Sequence, residues 1–322
     1  MLAKEREGLK RPAETADDAA DASLVLFPGA LGDAVCFEPT VAALARSARV
    51  ALYARGGAAE VAALFPAAPE VRSLDAPEIA HLFAPLARPE DAGEDPELAW
   101  LDRAGRVVSF TGAGEPAVRA RLAARCPNAV VVPFPRPPLA LHASDYFLRH
   151  ATGDPAAVAP PPRLVPPADA AAALGACLRE LHGDRLLLVH PGAGAPGKRA
   201  PRELLVALAA RWRRAGGAVV VALGPAERAE RDEWSDVGDV VVPASVAALA
   251  GAIAAAAAYA GNDSGPSHVA AALGVPGATL FVAGDPSAFG PRGARMSIVE
   301  LAGASSAHAI EGAWGALSRA LP

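Results

Sequence analysis

Three times this chain runs from a short apolar segment through a glycine turn into a helical pattern, with a charged residue at or near the turn. The first is Leu24-Val-Leu-Phe-Pro-Gly-Ala-Leu-Gly-Asp33. The second is Leu186-Leu-Leu-Val-His-Pro-Gly-Ala-Gly-Ala-Pro-Gly-Lys198. The third is Tyr259-Ala-Gly-Asn-Asp-Ser-Gly-Pro-Ser-His268. Strands joined through helices pair in parallel, and a parallel sheet needs helices on both faces. The alternation therefore predicts an α/β chain.

The rest of the pattern agrees. Strands are expected at Ser23–Phe27, Arg49–Tyr53, Val71–Leu74, Val107–Phe110 and Ala129–Val132, with helices at Val35–Arg46 and Ala58–Phe65. A second series of strands is expected at Arg185–His190, Ala218–Leu223, Val240–Val242, Ala255–Ala260 and Ala278–Val282, with a helix at Arg202–Ala215. Between the two series lies a proline-rich stretch, with a helical segment around His142–His150 and prolines at 160–162 and 166–167. The length of 322 residues suits two domains. The expected division is a disordered polar tail at 1–22, one Rossmann-like domain at 23–154, a linker at 155–167 and a second such domain at 168–322.

Composition narrows the function classes. A net charge of −5 argues against nucleic acid as a partner. The three cysteines, Cys36, Cys126 and Cys177, have neither disulfide-framework nor zinc spacing, and buried thiols in a reducing compartment are expected. No clustered His, Asp and Glu set has metal-ligand spacing, so no metal and no other cofactor is expected. The first 22 residues lack an apolar core, and no apolar run reaches membrane-spanning length. A cytoplasmic protein is expected, with contact at a membrane surface compatible with that placement.

The third stretch is the most informative. Asp263 and Ser264 suit an N-cap, Pro266 suits the first helical turn, and Gly274 with Pro276 ends the helix. A helix start presents free N–H groups and the positive end of a dipole, which favours a phosphate. Asp263, Ser264, Gly265 and His268 would surround it. A capped helix after a core strand fits the same residues. In the first stretch, Gly29 and Gly32 permit a sharp turn, and Asp33 suits either an N-cap or a general base. The second stretch formally matches a dinucleotide fingerprint at Gly192, Gly194 and Gly197, but Pro196 and Pro201 oppose a helix there. It is one residue short of a P-loop, and Arg199 stands where Ser or Thr would hold magnesium. A solvated loop lysine remains open for Lys198.

Together the three stretches resemble glycosyltransferase family 9, the heptosyltransferase-like enzymes. Asn262-Asp-Ser-Gly-Pro-Ser-His268 followed by an alanine-rich helix is similar to the family's donor signature. The resemblance implies a GT-B fold: two Rossmann-like parallel-sheet domains facing across a cleft. It implies inverting transfer of a sugar from a nucleotide-diphosphate donor, typically ADP-heptose, to a lipopolysaccharide-core or other surface-glycan hydroxyl on a lipid-linked acceptor. Asp33 would be the base, and Lys198 would meet the diphosphate. Gly192, Gly194, Arg199, Asp263, Ser264, Gly265 and His268 would complete the donor site, with Glu227 at the ribose and the base near Val240–Ser245. Gly32 and His142 would lie on the acceptor side, and Arg292 near phosphate. The chain departs from the family at Phe27-Pro28, where a basic or polar residue is usual. A sugar-nucleotide epimerase or hydrolase of the same fold, or a non-catalytic nucleotide-sugar-binding protein, are the alternatives.

Overall fold

A computed structural model describes residues 22–168, 172–303 and 306–321. The expected tail falls outside them except for its last residue, Ala22, which opens the first strand. In chain order the first half contains β1 (Ala22–Leu26), α1 (Leu31–Leu44), β2 (Val50–Ala54), α2 (Gly56–Ala62), β3 (Glu70–Ser73), α3 (Pro77–Phe83), β4 (Ala104–Ser109), α4 (Pro116–Arg125), β5 (Val130–Val131) and α5 (Ala143–Thr152). The second half contains α6 (Ala173–His182), β6 (Leu186–His190), α7 (Arg202–Arg214), β7 (Ala218–Ala222), α8 (Arg231–Trp234), β8 (Asp239–Val241), α9 (Val246–Ala255), β9 (Ala258–Asn262), α10 (Gly265–Ala272), β10 (Gly277–Phe281), α11 (Pro286–Phe289), β11 (Met296–Glu300) and α12 (Ser306–Leu317).

The strands form two wholly parallel sheets, ordered β3-β2-β1-β4-β5 and β11-β10-β9-β6-β7-β8. In each, the strand order reverses beside the first strand, between β1 and β4 and between β6 and β9. Open α/β sheets bind ligands in the crevice at such a switch point, outside the carboxyl ends of the strands. Asp33 follows β1, the Gly192–Lys198 loop follows β6, and Asp263 follows β9. Parallel strands buried on both faces read as continuous apolar runs, which is why Leu186–Val189 shows no alternation and is fully buried.

Several boundaries differ from the expectation for physical reasons. Helix α1 starts at Leu31, four residues before Val35, because Gly32 and Asp33 form its first turn rather than a preceding loop. Strand β9 begins at Ala258, since the alanine run to Ala255 belongs to α9. Alanine has high helix propensity and carries no strand pattern of its own, so that boundary is set by packing. Strand β11, which pairs with β10 from Gly277↔Met296 to Phe281↔Glu300, was not foreseen because its edge position leaves it half exposed. Trp212 is fully buried, and its indole N–H donates to the Arg185 carbonyl at 3.0 Å.

One apolar cluster crosses from the first sheet to the second. It joins Val25, Phe27 and Phe37 to Val269, Tyr259 and Leu186. Phe27, where the family resemblance would place a basic or polar residue, is fully buried and stacks on Phe37 with ring centroids 4.5 Å apart. Polar contacts also join the halves. The proline-rich linker lies between them: Leu164 N–H donates to Ala272 O, and Val165 N–H donates to Leu64 O. Arg292 was a candidate phosphate ligand. Instead its guanidinium grips Asp145 of α5 through two hydrogen bonds of 3.0 and 2.7 Å, while Asp145 also accepts the Ala159 N–H at 2.8 Å.

Asp145 is nearly buried, so Asp145→Ala would strand both a guanidinium and an amide. Urea unfolding of that variant is expected to show a loss of about 1–3 kcal/mol, discounted from a fully buried pair because Arg292 is partly exposed. An unchanged midpoint would show that the pair does not tie the halves together.

Candidate active site

The loop after β1 turns over the Phe27 ring. A Cβ on Gly29 would fall 2.5 Å from that ring and 2.8 Å from the Asp33 Cβ, so only glycine fits. Ala30 is the N-cap of α1 and offers no side-chain acceptor. Asp33 sits at the third helical position, and its Oδ2 accepts the Ala30 N–H at 2.9 Å. It thus supplies one arm of a capping box whose other arm is missing. Burial raises the pKa of its carboxyl above the ordinary aspartate value, against the Ala30 hydrogen bond and the positive charge of Lys198, while Asp263 adds to the rise.

The opposite wall comes from β6 and β9, paired so that His190 lies beside Gly261. Asn262 ends β9 fully buried. Its amide N–H donates to Pro191 O at 2.7 Å, and its Oδ1 accepts the Ala200 N–H at 2.9 Å. Both ends of the Pro191–Ala200 loop are therefore pinned to one side chain. Lys198 lies inside that loop, and its Nζ donates to Asp263 Oδ2 at 2.7 Å. Asp263 is 7% exposed and Lys198 41%, so the carboxylate anchors the ammonium while leaving N–H groups directed outward. Ser264 is the N-cap of α10 and makes no side-chain cap; its hydroxyl donates to Asn262 O at 3.2 Å.

The amino ends of α1 and α10 meet across the gap. A Cβ on Gly265 would lie 2.7 Å from Leu31, and one on Gly32 would lie 3.0 Å from the His268 ring. Two glycines thus let two helix starts, each with a positive dipole end, approach one space. Asp33, Cys36, Gly194, Lys198, Asp263, Ser264, His268 and Phe289 line a cavity of about 190 Å³ there. It shares Ala30, Gly32, Gly194, Ser264 and Gly265 with a larger hollow of about 450 Å³. His190, Gly224, Glu227 and the Pro243–Val246 segment enclose the larger one. Glu60 of α2 closes its far side, accepting the Val246 N–H at 2.7 Å. A third hollow, of about 560 Å³, opens at the carboxyl ends of β4 and β5 between Pro28, Thr111, Phe134 and Arg136. A fourth, of about 500 Å³, lies at the opposite end of the first sheet, around Arg49, Glu70 and Trp100, and shares no residue with these.

The structure thus gathers Asp33, Gly32, Lys198, Gly192, Gly194, Glu227, Asp263, Ser264, Gly265 and His268 around the carboxyl ends of the two sheets. Arg199 and His142 are placed otherwise. Arg199 donates to Glu227 at 2.8 Å and to Glu230 at 2.7 Å, so its charge is matched by two carboxylates instead of facing a phosphate. Glu227 is buried between Gly192 and Gly224, where a Cβ on either would meet its carboxylate within 2.7 Å. His142 caps α5: its Nδ1 accepts the Ser144 N–H at 3.1 Å, and its Nε2 donates to Gly290 O at 2.8 Å. Both ring nitrogens are used inside the protein, so the acceptor-side expectation for His142 gives way to a structural role. Asn262 and Cys36 were not singled out as site residues. Asn262 read as a turn residue and Cys36 as core filling, because the partners of each are remote in sequence. Among the described residues, no group of three His, Cys, Asp or Glu side chains could hold a metal ion.

The model described as glycosyltransferase family 9 (heptosyltransferase) matches residues 148–311. No curated protein matches the sequence. Solved structures share the fold. The glycosyl transferase family 9 structure from Veillonella parvula DSM 2008 superposes with a TM-score of 0.72 at 18% identity, covering 93% of this chain and 98% of that one. E. coli ADP-heptose lps heptosyltransferase II gives 0.67 at 17% identity, covering 92% and 99%. E. coli heptosyltransferase WaaC with ADP gives 0.60 at 15% identity, covering 87% and 93%. The GT-B arrangement of two Rossmann-like sheets across a cleft is the architecture of this chain.

Burial holds His268 far below the ordinary histidine range, down to about 3, with His142 and Lys198 adding to the effect. An unfolded histidine titrates near 6.5, so between these values the unfolded chain binds the extra proton. The stability from keeping His268 neutral is full above about pH 6.5 and is lost as pH falls toward 3. The destabilisation caused by His268→Gln, measured by urea unfolding, is therefore expected to shrink from pH 7 to pH 4. A difference that stays constant with pH would show that His268 is not held neutral.

Proposed function

Since this chain belongs to glycosyltransferase family 9, we propose that it is an inverting transferase that moves a sugar from a nucleotide-diphosphate donor to a glycan hydroxyl. The observation that carries this reading is the shared cavity: a carboxylate from the first half, Asp33, and an anchored ammonium from the second, Lys198, line one space. Inverting transfer needs a base on one side of the anomeric carbon and charge stabilisation on the other.

In this reading Asp33 accepts the proton of the acceptor hydroxyl as its oxygen bonds to the anomeric carbon. The bond from that carbon to the diphosphate oxygen breaks, and Lys198 with the start of α10 meets the charge that develops on the phosphate. The raised Asp33 pKa makes it a stronger base than an exposed aspartate. Asp263 acts by holding Lys198 in place. The larger hollow takes the nucleoside, with Glu227 near the ribose and the Pro243–Val246 backbone near the base. The hollow beside Pro28 and Arg136 is the route for the acceptor. Residues 23–154 form the acceptor domain and 168–322 the donor domain, joined by 155–167.

The donor proposed is ADP-heptose, supported by the fold shared with a heptosyltransferase solved with ADP. The acceptor proposed is a lipopolysaccharide-core or related lipid-linked surface glycan at the cytoplasmic membrane face. Among the described residues, no helix is long and apolar enough to cross a membrane, so contact with that surface would be peripheral.

A thermal-shift panel of ADP-, UDP-, GDP- and CMP-sugars tests the donor. A true donor at about 100 times its Kd stabilises the fold by about 2.7 kcal/mol. Asp33→Asn is expected to keep that shift and lose about 10²–10⁴-fold in turnover. Lys198→Ala is expected to weaken the nucleotide shift itself. The acid limb of kcat/KM should report Asp33 at a pKa above the ordinary value of about 3.9. If Asp33→Asn turned over normally, or no nucleotide sugar shifted the protein, the proposal would fail; a nucleotide shift without turnover in the wild type would mark a binding protein.

A further inference from the structure

Cys36 is a buried thiol that the reaction above does not use. It sits on α1 one turn after Asp33, and its Sγ lies 3.5 Å from His268 Nδ1 on α10. The contact joins residues 232 positions apart and crosses from one half of the molecule to the other. Ser144 of α5 is close enough to oppose the rise in the Cys36 pKa, and its buried hydroxyl has no hydrogen-bond partner among the described residues. The Cδ2–Nε2 edge of His268 faces Gly32, at the wall of the small cavity.

We propose that Cys36 is a positioning residue: its S–H donates to His268 Nδ1 and thereby fixes the neutral tautomer that carries the proton on Nε2, presenting an uncharged N–H donor to the donor diphosphate. The inference rests on the reading of the cavity as a sugar-nucleotide site.

The direction of the bond follows from the partners. Burial pushes the Cys36 thiol up to about 12, with Asp33 and Asp263 adding to the rise, so the sulfur keeps its proton. His268 is held neutral, so Nδ1 and Nε2 share one proton. A thiol is a weak acceptor, whereas an unprotonated imidazole nitrogen is a good one. The contact to Nδ1 is therefore the one in which the S–H donates. The other tautomer would make the weakly accepting sulfur the acceptor and turn the Nε2 lone pair toward a space meant for phosphate oxygens. Because Cys36 and His268 belong to different halves, the tautomer is set where α1 and α10 come together at Gly32 and Gly265.

Long-range 15N–1H spectra of the imidazole rings read the tautomer directly in the full-length, ligand-free chain. His268 is identified among the seven histidines by its loss in His268→Gln. The wild type is expected to show a protonated Nε2 and an unprotonated Nδ1. Cys36→Ala is expected to move both shifts toward a mixture and lower kcat about tenfold, as the loss of one hydrogen bond implies. Cys36→Ser, which keeps a donor, is expected to restore both. A wild-type spectrum with the proton on Nδ1 would overturn the proposal, as would an Nε2–H signature that persists unchanged in Cys36→Ala. The spectra need no sugar nucleotide. A fixed Nε2–H tautomer in a chain that transfers no sugar would therefore refute the transferase reading and leave the positioning role standing.

Discussion

The whole arrangement depends on how closely two helix starts approach. The first turns of α1 and α10 face each other, and the positions that touch are Gly32 and Gly265. A side chain at Gly265 would run into Leu31, and one at Gly32 into His268. Glycine is costly at a helix start only through lost backbone freedom. Here that cost permits two dipole ends, one carboxylate and one ammonium to border a common space. The apolar cluster from Phe27 to Tyr259 lies behind this contact and holds it.

Charge around the cavity is balanced in pairs. Lys198 is matched by Asp263, Arg199 by Glu227 and Glu230, and Arg292 by Asp145. Removing one member of such a pair leaves the other stranded in a poorly solvated place. Burial keeps His142, His190 and His268 neutral, so these rings serve as hydrogen-bond partners and add no charge. Asp33 is the exception among the acids of the cavity. Its carboxylate is held by one backbone N–H and, among the described residues, by no side-chain cation within bonding reach, which leaves it free to take a proton.

Legibility in the sequence followed the range of the interactions. Strands β1, β2, β6, β7 and β10 were readable because a fully buried parallel strand needs a continuous apolar run. The turns that bear Asp33, Lys198 and Asp263 were readable because glycine and proline restrict the backbone locally. Strand β11 was missed because an edge strand with one wet face has a weak pattern, and the alanine run before β9 was misdivided because a uniform run of alanine shows no periodicity to mark where helix ends and strand begins. The internal partners of Arg199, Arg292 and His142 were not legible for another reason. Whether a cation faces a ligand or an internal carboxylate depends on partners such as Glu230 and Asp145, which local patterns do not bring together.

What the sequence determined by itself was the class of fold and the residues at its strand ends, because both rest on contacts within a few residues along the chain. What only the tertiary structure decided was which of those residues share a cavity. Asn262 pins a loop some seventy residues earlier, and Cys36 meets His268 from the other half. The first exists only once β6 and β9 have paired and the second only once the two sheets have closed on one another, since the geometry that makes them is set by packing and not by the neighbouring residues.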